Sequence, residues 1–340
     1  MTLIPYLKKL SNHPLIVKRK FFLLLLLVVF STMTYPFTPM HVTESNATLE
    51  INSGSSLNQI TSQLVEMNIL KDSFRFKVLA FVTGNQTKLK KGYYKIPDSI
   101  TPLGLLSILV DGKEMLFPIT LVEGSTFKQI VELIDNNANI KKTIVGFDEQ
   151  KILQLMGAEE PYVEGLFFPD TYYFYKNTTD LEILTNAYKV MKSKMQFLWE
   201  NRTEDLPYES PYEAIIVASI IEKELGVEYE APEIAGVFVN RLRANMRLQS
   251  DPTVIYGMQE SFKGNIRKSD LRADTSHNTY TRKGIPPSPI SLPSLVSLEA
   301  ALNPATTGYF YFVAKGNRMH HFSKTLKEHN RAVNTYQRRK

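Results

Sequence analysis

Polar and apolar positions along the chain change character most sharply near residue 210. Between Ala214 and Ile221 only Ser219 is polar. A helix that is apolar on every side is a buried helix. Ser210, Pro211 and Glu213 predict its start: a capping hydroxyl, a proline at the first turn and a capping-box acid. The run passes directly into Glu222, Lys223 and Glu224, and Gly226 predicts its end. Glu222 follows the Ile215 and Ala218 stripe, while Glu224 follows Val217 and Ile220. At least one carboxyl group therefore stands where an apolar interior meets solvent. Burial disfavours the charged form and raises a carboxyl pKa, which is what a general acid working near neutral pH needs. The plainer reading of such acids is solvation, or a structural ion pair.

The same patterning gives the other elements. Leu49 to Ile51 predicts a strand, and Ser55 or Ser56 caps a helix carrying Ile60, Leu64 and Val65. A helix from about Ser73 to Val82, a strand at Gly92–Ile96 and a helix from Thr101 to Gly112 follow. Residues 118–122 predict a strand. The stretch Gly54-Ser55-Ser56-Leu57-Asn58-Gln59-Ile60 is echoed by Gly124-Ser125-Thr126-Phe127-Lys128-Gln129-Ile130, one turn-and-helix element used twice. Residues 163–175 are dense in aromatics and carry Glu164 and Asp170, a pattern that points to core before a sugar groove. A long helix with Leu184, Ala187 and Met191 leads into the 210–225 helix. Beyond it come an amphipathic helix from Glu233 to Leu242, an Asp251–Pro252 helix start, a helix at Leu295–Leu302 and a hairpin from Tyr309 to Phe322. The fold class is α+β.

Composition alters this picture in a few places. The 340 residues suggest two domains, or one large domain with an appendage, and the 43% hydrophobic fraction is enough to bury a core. Cysteine is absent, which excludes disulfides, thiolate metal sites and a cysteine nucleophile. The net charge is +6, and part of it lies in Lys8, Lys9, Lys18, Arg19 and Lys20. Beyond residue 40 the basic residues are scattered among acids, which argues against nucleic acid as a partner. His320 and His321 are adjacent, point to opposite faces of a strand and cannot share a metal easily. No HExxH, P-loop, GxGxxG or GxSxG pattern is present, so no metal and no cofactor is expected. An isolated loop histidine such as His277 is expected to be solvated.

The basic cluster precedes Phe21 to Phe30, a run of aromatic and aliphatic residues. Phe21 to Tyr35 spans about 22 Å as a helix, short against a bilayer core of about 30 Å. No small-residue cleavage pattern follows, so the run is expected to be an uncleaved signal anchor. The basic flank places the N-terminus in the cytoplasm. The expected organisation is a cytoplasmic tail at 1–20, a transmembrane helix at 21–40, a small domain with its linker at 41–115 and a larger domain at 116–340.

Several stretches, in this order and spacing, resemble the endolytic murein transglycosylase (YceG-like) family. They are Val163-Glu164-Gly165-Leu166-Phe167-Phe168-Pro169-Asp170-Thr171-Tyr172, Ala218 to Glu224, Val239-Asn240-Arg241-Leu242, Met246 to Gly257, Asn278-Thr279-Tyr280 and His329-Asn330. The resemblance implies a single-pass protein of the bacterial inner membrane, with a LysM-like subdomain before a catalytic domain outside the cytoplasm. It implies cleavage within peptidoglycan glycan strands, termination of nascent strands and peptidoglycan synthases as partners. It places the family's catalytic glutamate on Glu222. It places substrate-binding positions on Gln249, Ser250, Asp251, Thr253, Tyr256, Asn278 and Tyr280. The implied reaction needs one carboxyl group. It protonates the bond between N-acetylmuramic acid and N-acetylglucosamine, then accepts a proton from the muramyl 6-hydroxyl, leaving a 1,6-anhydro end. An internal nucleophile needs no second activated side chain. Two alternatives remain beside it: a hydrolysing muramidase with Asp251 or Glu224 as second carboxylate, and a non-catalytic wall-binding scaffold.

Overall fold

The computed structural model describes residues 14–42 and 45–338. The chain divides into two compact units between Leu116 and Phe117.

The first unit opens with α1 (Pro14–Thr34), followed by a 3-10 turn at Tyr35–Phe37. The helix at this position has other bounds than the expected 21–40. The helix begins at Pro14, contains Lys18, Arg19 and Lys20, and stops at Thr34. Met40 already belongs to β1 (Met40–His41). Among the described residues no helix is long and apolar enough to cross a membrane. The expected cytoplasmic tail falls largely outside the described residues.

Next come β2 (Thr48–Ile51), α2 (Leu57–Glu66), α3 (Ser73–Val82), β3 (Gly92–Lys95), β4 (Ser99–Ile100) and α4 (Pro102–Asp111). β2 pairs antiparallel with β3, Leu49 opposite Tyr94, and β1 pairs with β4. Leu49, Leu64, Phe76, Tyr94 and Leu105 form a closed core. Ser56 and Gln59 make a full capping box at α2, and Gly112 ends α4 in the left-handed region at φ 73.

β5 (Leu116–Thr120) starts at the boundary and leads the second unit, followed by α5 (Phe127–Asp135), α6 (Glu149–Met156) and β6 (Thr171–Tyr175), with β5 paired to β6. The sequence echo has a structural counterpart. Gly54 and Gly124 share positive φ, 84 and 72, and Thr126 with Gln129 repeats the capping box. The aromatic stretch packs inward: Leu166, Phe167, Phe168, Tyr172 and Phe174 are buried.

α7 (Asp180–Glu200) and α8 (Pro211–Glu224) follow, then α9 (Ala231–Arg243), α10 (Asp251–Met258) and α11 (Leu295–Leu302). The chain closes with β7 (Tyr311–Gly316), β8 (Met319–Ser323) and α12 (Leu326–Tyr336). α8 is the axis of this unit. Every residue from Ala214 to Ile221 is buried, and each Val or Ile there contributes roughly 1.5–3 kcal/mol relative to exposure. α11 packs along it, and α9 packs on both. Ser219, the one polar residue in the run, ties the buried segment before α11: its hydroxyl accepts from Ile290 N at 3.0 Å, and its carbonyl accepts from the Ser291 hydroxyl at 3.2 Å.

The ends of α8 differ from expectation. Ser210 caps Glu213 N, but the Glu213 carboxylate accepts from Glu209 N at 2.7 Å, so no capping box closes. Gly226 does not end the helix in a left-handed turn; the chain leaves at Leu225 in extended conformation. Gly226 is required by close approach instead: a Cβ there would stand 1.9 Å from the carbonyl oxygen of Arg318, in the β7–β8 turn.

Candidate functional site

Residues two apart on a helix of 3.6 residues per turn lie about 200° apart around its axis. Glu222 and Glu224 therefore point to different sides of α8, and the structure gives them different work. Glu222 Oε2 accepts from Ser294 N (2.9 Å), the Ser294 hydroxyl (2.5 Å) and the Ser297 hydroxyl (2.7 Å). It braces the N-terminus of α11. Its neighbour Lys223 donates to the Gly124 carbonyl at 3.2 Å. One oxygen of Glu222 is thus held in a structural network.

Glu224 enters a cleft of about 460 Å³ in the second unit, within the usual range for ligand sites. Burial pushes its carboxyl pKa up to about 7, helped by the nearby Asp251 charge. The Ser250 hydroxyl donates to its Oε1 at 2.6 Å, which favours the charged form and limits that rise. A carboxyl group half protonated near neutral pH at the wall of a cleft has the properties required of a general acid. The geometry moves the candidate catalytic residue from Glu222 to Glu224.

Ser250 shows how the chain serves this carboxyl. It is the N-cap residue of α10, yet its side chain does not cap the helix; the hydroxyl is spent on Glu224. The Ser250 carbonyl accepts from Thr253 Oγ1 at 2.7 Å and its N–H donates to Thr279 Oγ1 at 3.0 Å, which fixes its orientation. Gln249, just before it, holds φ 49, an uncommon region for a side chain of this type and typical of strained backbone at functional sites. The Tyr280 hydroxyl donates to Asp251 Oδ1 at 2.6 Å, holding that carboxylate in place at the cleft.

Of the predicted substrate-binding residues, Gln249, Asp251 and Tyr280 line the cleft with Glu224. Ser250 stands directly behind the acid and is buried. Thr253 and Asn278 do not reach the cleft. Both are fully buried, Thr253 between Ser250 and Thr279, and Asn278 donating to the Ala273 carbonyl at 2.6 Å while accepting from Tyr280 N at 2.8 Å. They shape the loop that presents Tyr280. Tyr256 faces a different cavity, where its hydroxyl donates to Glu164 at 3.2 Å. Glu164 is also buried and raised to about 7, and it accepts from Phe127 N at the start of α5. His277 is half-buried rather than solvated, with ring nitrogens 3.0 Å from the Ser276 hydroxyl and 2.8 Å from the Ser288 hydroxyl.

Reading by residue type gave no role to four groups around the same cleft. Arg241 donates to the Phe310 and Leu248 carbonyls, each at 2.7 Å, and its guanidinium lies 5.3 Å from the Tyr311 ring centre. His320 and His329 line the cleft, and Glu230 holds His320 from behind. Arg241 and His329 stand in stretches that carry the family resemblance, which was the available signal. His320 and Glu230 are 90 positions apart and meet only in the fold. Among the described residues no cluster of three potential metal ligands forms.

Comparison with known proteins agrees with this architecture. The model of the YceG-like family matches residues 49–335. An endolytic murein transglycosylase of Bacillus subtilis is 32% identical over 320 residues, covering 86% of each chain. One of Streptococcus pneumoniae is 27% identical over 301 residues, covering 78% of this chain and 54% of that one. A solved structure of a yceG-like protein from Listeria monocytogenes superposes with TM-score 0.53 at 28% identity, covering 84% of this chain and 98% of that one. The chain is an α+β protein and belongs to the YceG-like family.

Proposed function

We propose that the second unit is a lytic transglycosylase acting on peptidoglycan, with Glu224 as the acid and then the base. The observation that carries this is one carboxyl group, raised to about 7, in a cleft beside Ser250. In its protonated form Glu224 gives its proton to the glycosidic oxygen between N-acetylmuramic acid and N-acetylglucosamine as the C1–O bond breaks. The resulting carboxylate takes the proton of the muramyl 6-hydroxyl as O6 bonds to C1, and the 1,6-anhydro ring closes. The acid is regenerated and no water is consumed. The relatives that bear the name endolytic murein transglycosylase support the same reading. Digestion of purified peptidoglycan tests it: anhydro-ended products are expected from the natural chain and none from Glu224→Gln. Products heavier by one water identify a hydrolase, with Asp251 as the second carboxylate.

Attachment to a membrane through α1 belongs to this proposal. Phe21, Leu27, Phe30 and Met33 are each about 70% exposed, an apolar surface that water does not favour. On α3, Phe74, Phe81 and Val82 are exposed as well. The strand–helix–helix–strand order of β2, α2, α3 and β3 supports a LysM-like, glycan-holding reading of the first unit. An endolytic cut made beside the membrane ends a growing strand.

A further inference from the structure

Two histidines in the Glu224 cleft have roles that protonation of a glycosidic bond does not use. His320 is clamped by Glu230, whose carboxylate is buried. Glu230 accepts from the His320 backbone N–H at 3.0 Å, and the ring Nδ1 lies 2.9 Å from the same oxygen. A carboxylate can only accept, so Nδ1 carries a proton. In the neutral ring Nε2 is then a bare lone pair. The Phe312 and Phe322 rings pack around the imidazole and hold its plane. This arrangement of carboxylate, oriented imidazole and free nitrogen fixes one acceptor in the cleft.

His329, on α12, is the complement. Its ring stacks on Tyr311 with centres 5.2 Å apart. Its Nδ1 is buried and has no hydrogen-bond partner. A buried N–H without an acceptor is the rarer arrangement, so the proton belongs on Nε2. Burial and then the charge of Arg241 lower the His329 pKa, keeping the ring neutral. Its Nε2–H is a donor.

Charge narrows the ligand class. Arg241 is the one guanidinium or ammonium group among the described residues lining the cleft. Its Nε and one terminal nitrogen donate to the backbone carbonyls of Phe310 and Leu248. Glu224 and Asp251 line the same cleft, so its charge as a whole does not favour an anionic ligand. An uncharged ligand rich in hydroxyl and amide groups is matched by one acceptor, one donor and an aromatic surface.

We propose that the part of the cleft built by β7, β8 and α12 is a saccharide subsite. In it His320 Nε2 accepts from a sugar hydroxyl and His329 Nε2–H donates to a hydroxyl or acetamido oxygen of the bound strand. This rests on the saccharide reading of the Glu224 cleft and assigns the residues that hold the strand there. Both histidines are binding residues, and neither breaks the bond.

The test uses the 340-residue chain carrying Glu224→Gln, which binds without turnover, and the tetramer of N-acetylglucosamine as probe. Calorimetric titration gives the parent affinity. Adding His320→Ala or His329→Ala is expected to weaken it about tenfold each, the size of one lost hydrogen bond between neutral groups. His329→Gln, whose amide nitrogen reaches about where Nε2 stands, is expected to recover most of that loss. Long-range ¹H–¹⁵N spectra of the unaltered histidines in the Glu224→Gln chain supply a readout that a structural role does not move. Free protein should show His320 protonated on Nδ1 and His329 on Nε2, and both Nε2 signals should shift on saturation. Tetramer binding with unchanged affinity in both alanine variants, or with unmoved ring signals, overturns this inference and leaves the Glu224 reading standing. Absence of any tetramer binding to the parent overturns both.

Discussion

Glu222 and Glu224 differ by two positions on one helix, and their neutral replacements should change stability in opposite directions. Glu224 ionises in the folded state only near pH 7, against 4.5 when free. Each pKa unit corresponds to about 1.4 kcal/mol, so the charged carboxylate costs the fold ~3 kcal/mol at most above pH 7. The sign follows from proton binding. Between pH 4.5 and 7 the folded chain holds the proton more tightly than the unfolded chain, so stability falls as pH rises through that window. Glu224→Gln removes the ionisation while keeping an oxygen for the Ser250 hydroxyl. At pH 8 it should be more stable than the natural chain by up to ~3 kcal/mol, and at pH 4 nearly equal to it, with glycan cleavage abolished. Glu222→Gln weakens three hydrogen bonds to a charged oxygen, those from Ser294 N, Ser294 Oγ and Ser297 Oγ. It should destabilise by about 1–2 kcal/mol while keeping cleavage. Denaturant unfolding followed by fluorescence of Trp199, the single tryptophan, reports on the second unit, since α7 carries it. The reasoning is refuted if Glu224→Gln is the less stable variant at pH 8, or if Glu222→Gln abolishes cleavage while Glu224→Gln retains it.

Three further substitutions probe the same carboxyl and its setting. Ser250→Ala removes the hydroxyl that favours the charged form of Glu224, so the alkaline limb of the kcat–pH profile should move to higher pH. Asp251→Asn removes the neighbouring negative charge that raises the Glu224 pKa, so the same limb should move down, and mass spectrometry should still find anhydro ends. Equal profiles for these two variants would contradict the assignment of the titrating group. Gly226→Ala places a Cβ 1.9 Å from the Arg318 carbonyl, forcing the loop after α8 or the β7–β8 turn to shift. Overpacking of this kind costs about 1–3 kcal/mol, which should appear in calorimetry as a melting temperature lower by several degrees.

The elements that sequence alone revealed are those whose signals are local. The Ser56 and Thr126 caps, the Gly112 stop and the uninterrupted apolar run of α8 each depend on residues within one or two turns. The candidate catalytic carboxyl could not be chosen the same way. Glu222 and Glu224 both extend apolar stripes of α8, and the choice between them is made by residues far along the chain. Ser294 and Ser297 claim Glu222, whereas Ser250 and Asp251 surround Glu224. Local rules fail beside that acid. Ser250 holds an N-cap position and does not cap, and Gln249 adopts a left-handed backbone without being glycine or asparagine. A hydroxyl withdrawn from a helix end forgoes about 1 kcal/mol of capping, and a glutamine at positive φ adds strain of about 1 kcal/mol or more. Both departures fall at Ser250, the residue that contacts Glu224, or directly before it. Departures from local preference that converge on one carboxyl are what a site selected for chemistry rather than stability should contain. The same logic predicts that Ser250→Asp, which is as good a cap by local rules, will fail here, because its carboxylate would face Glu224 instead of donating to it.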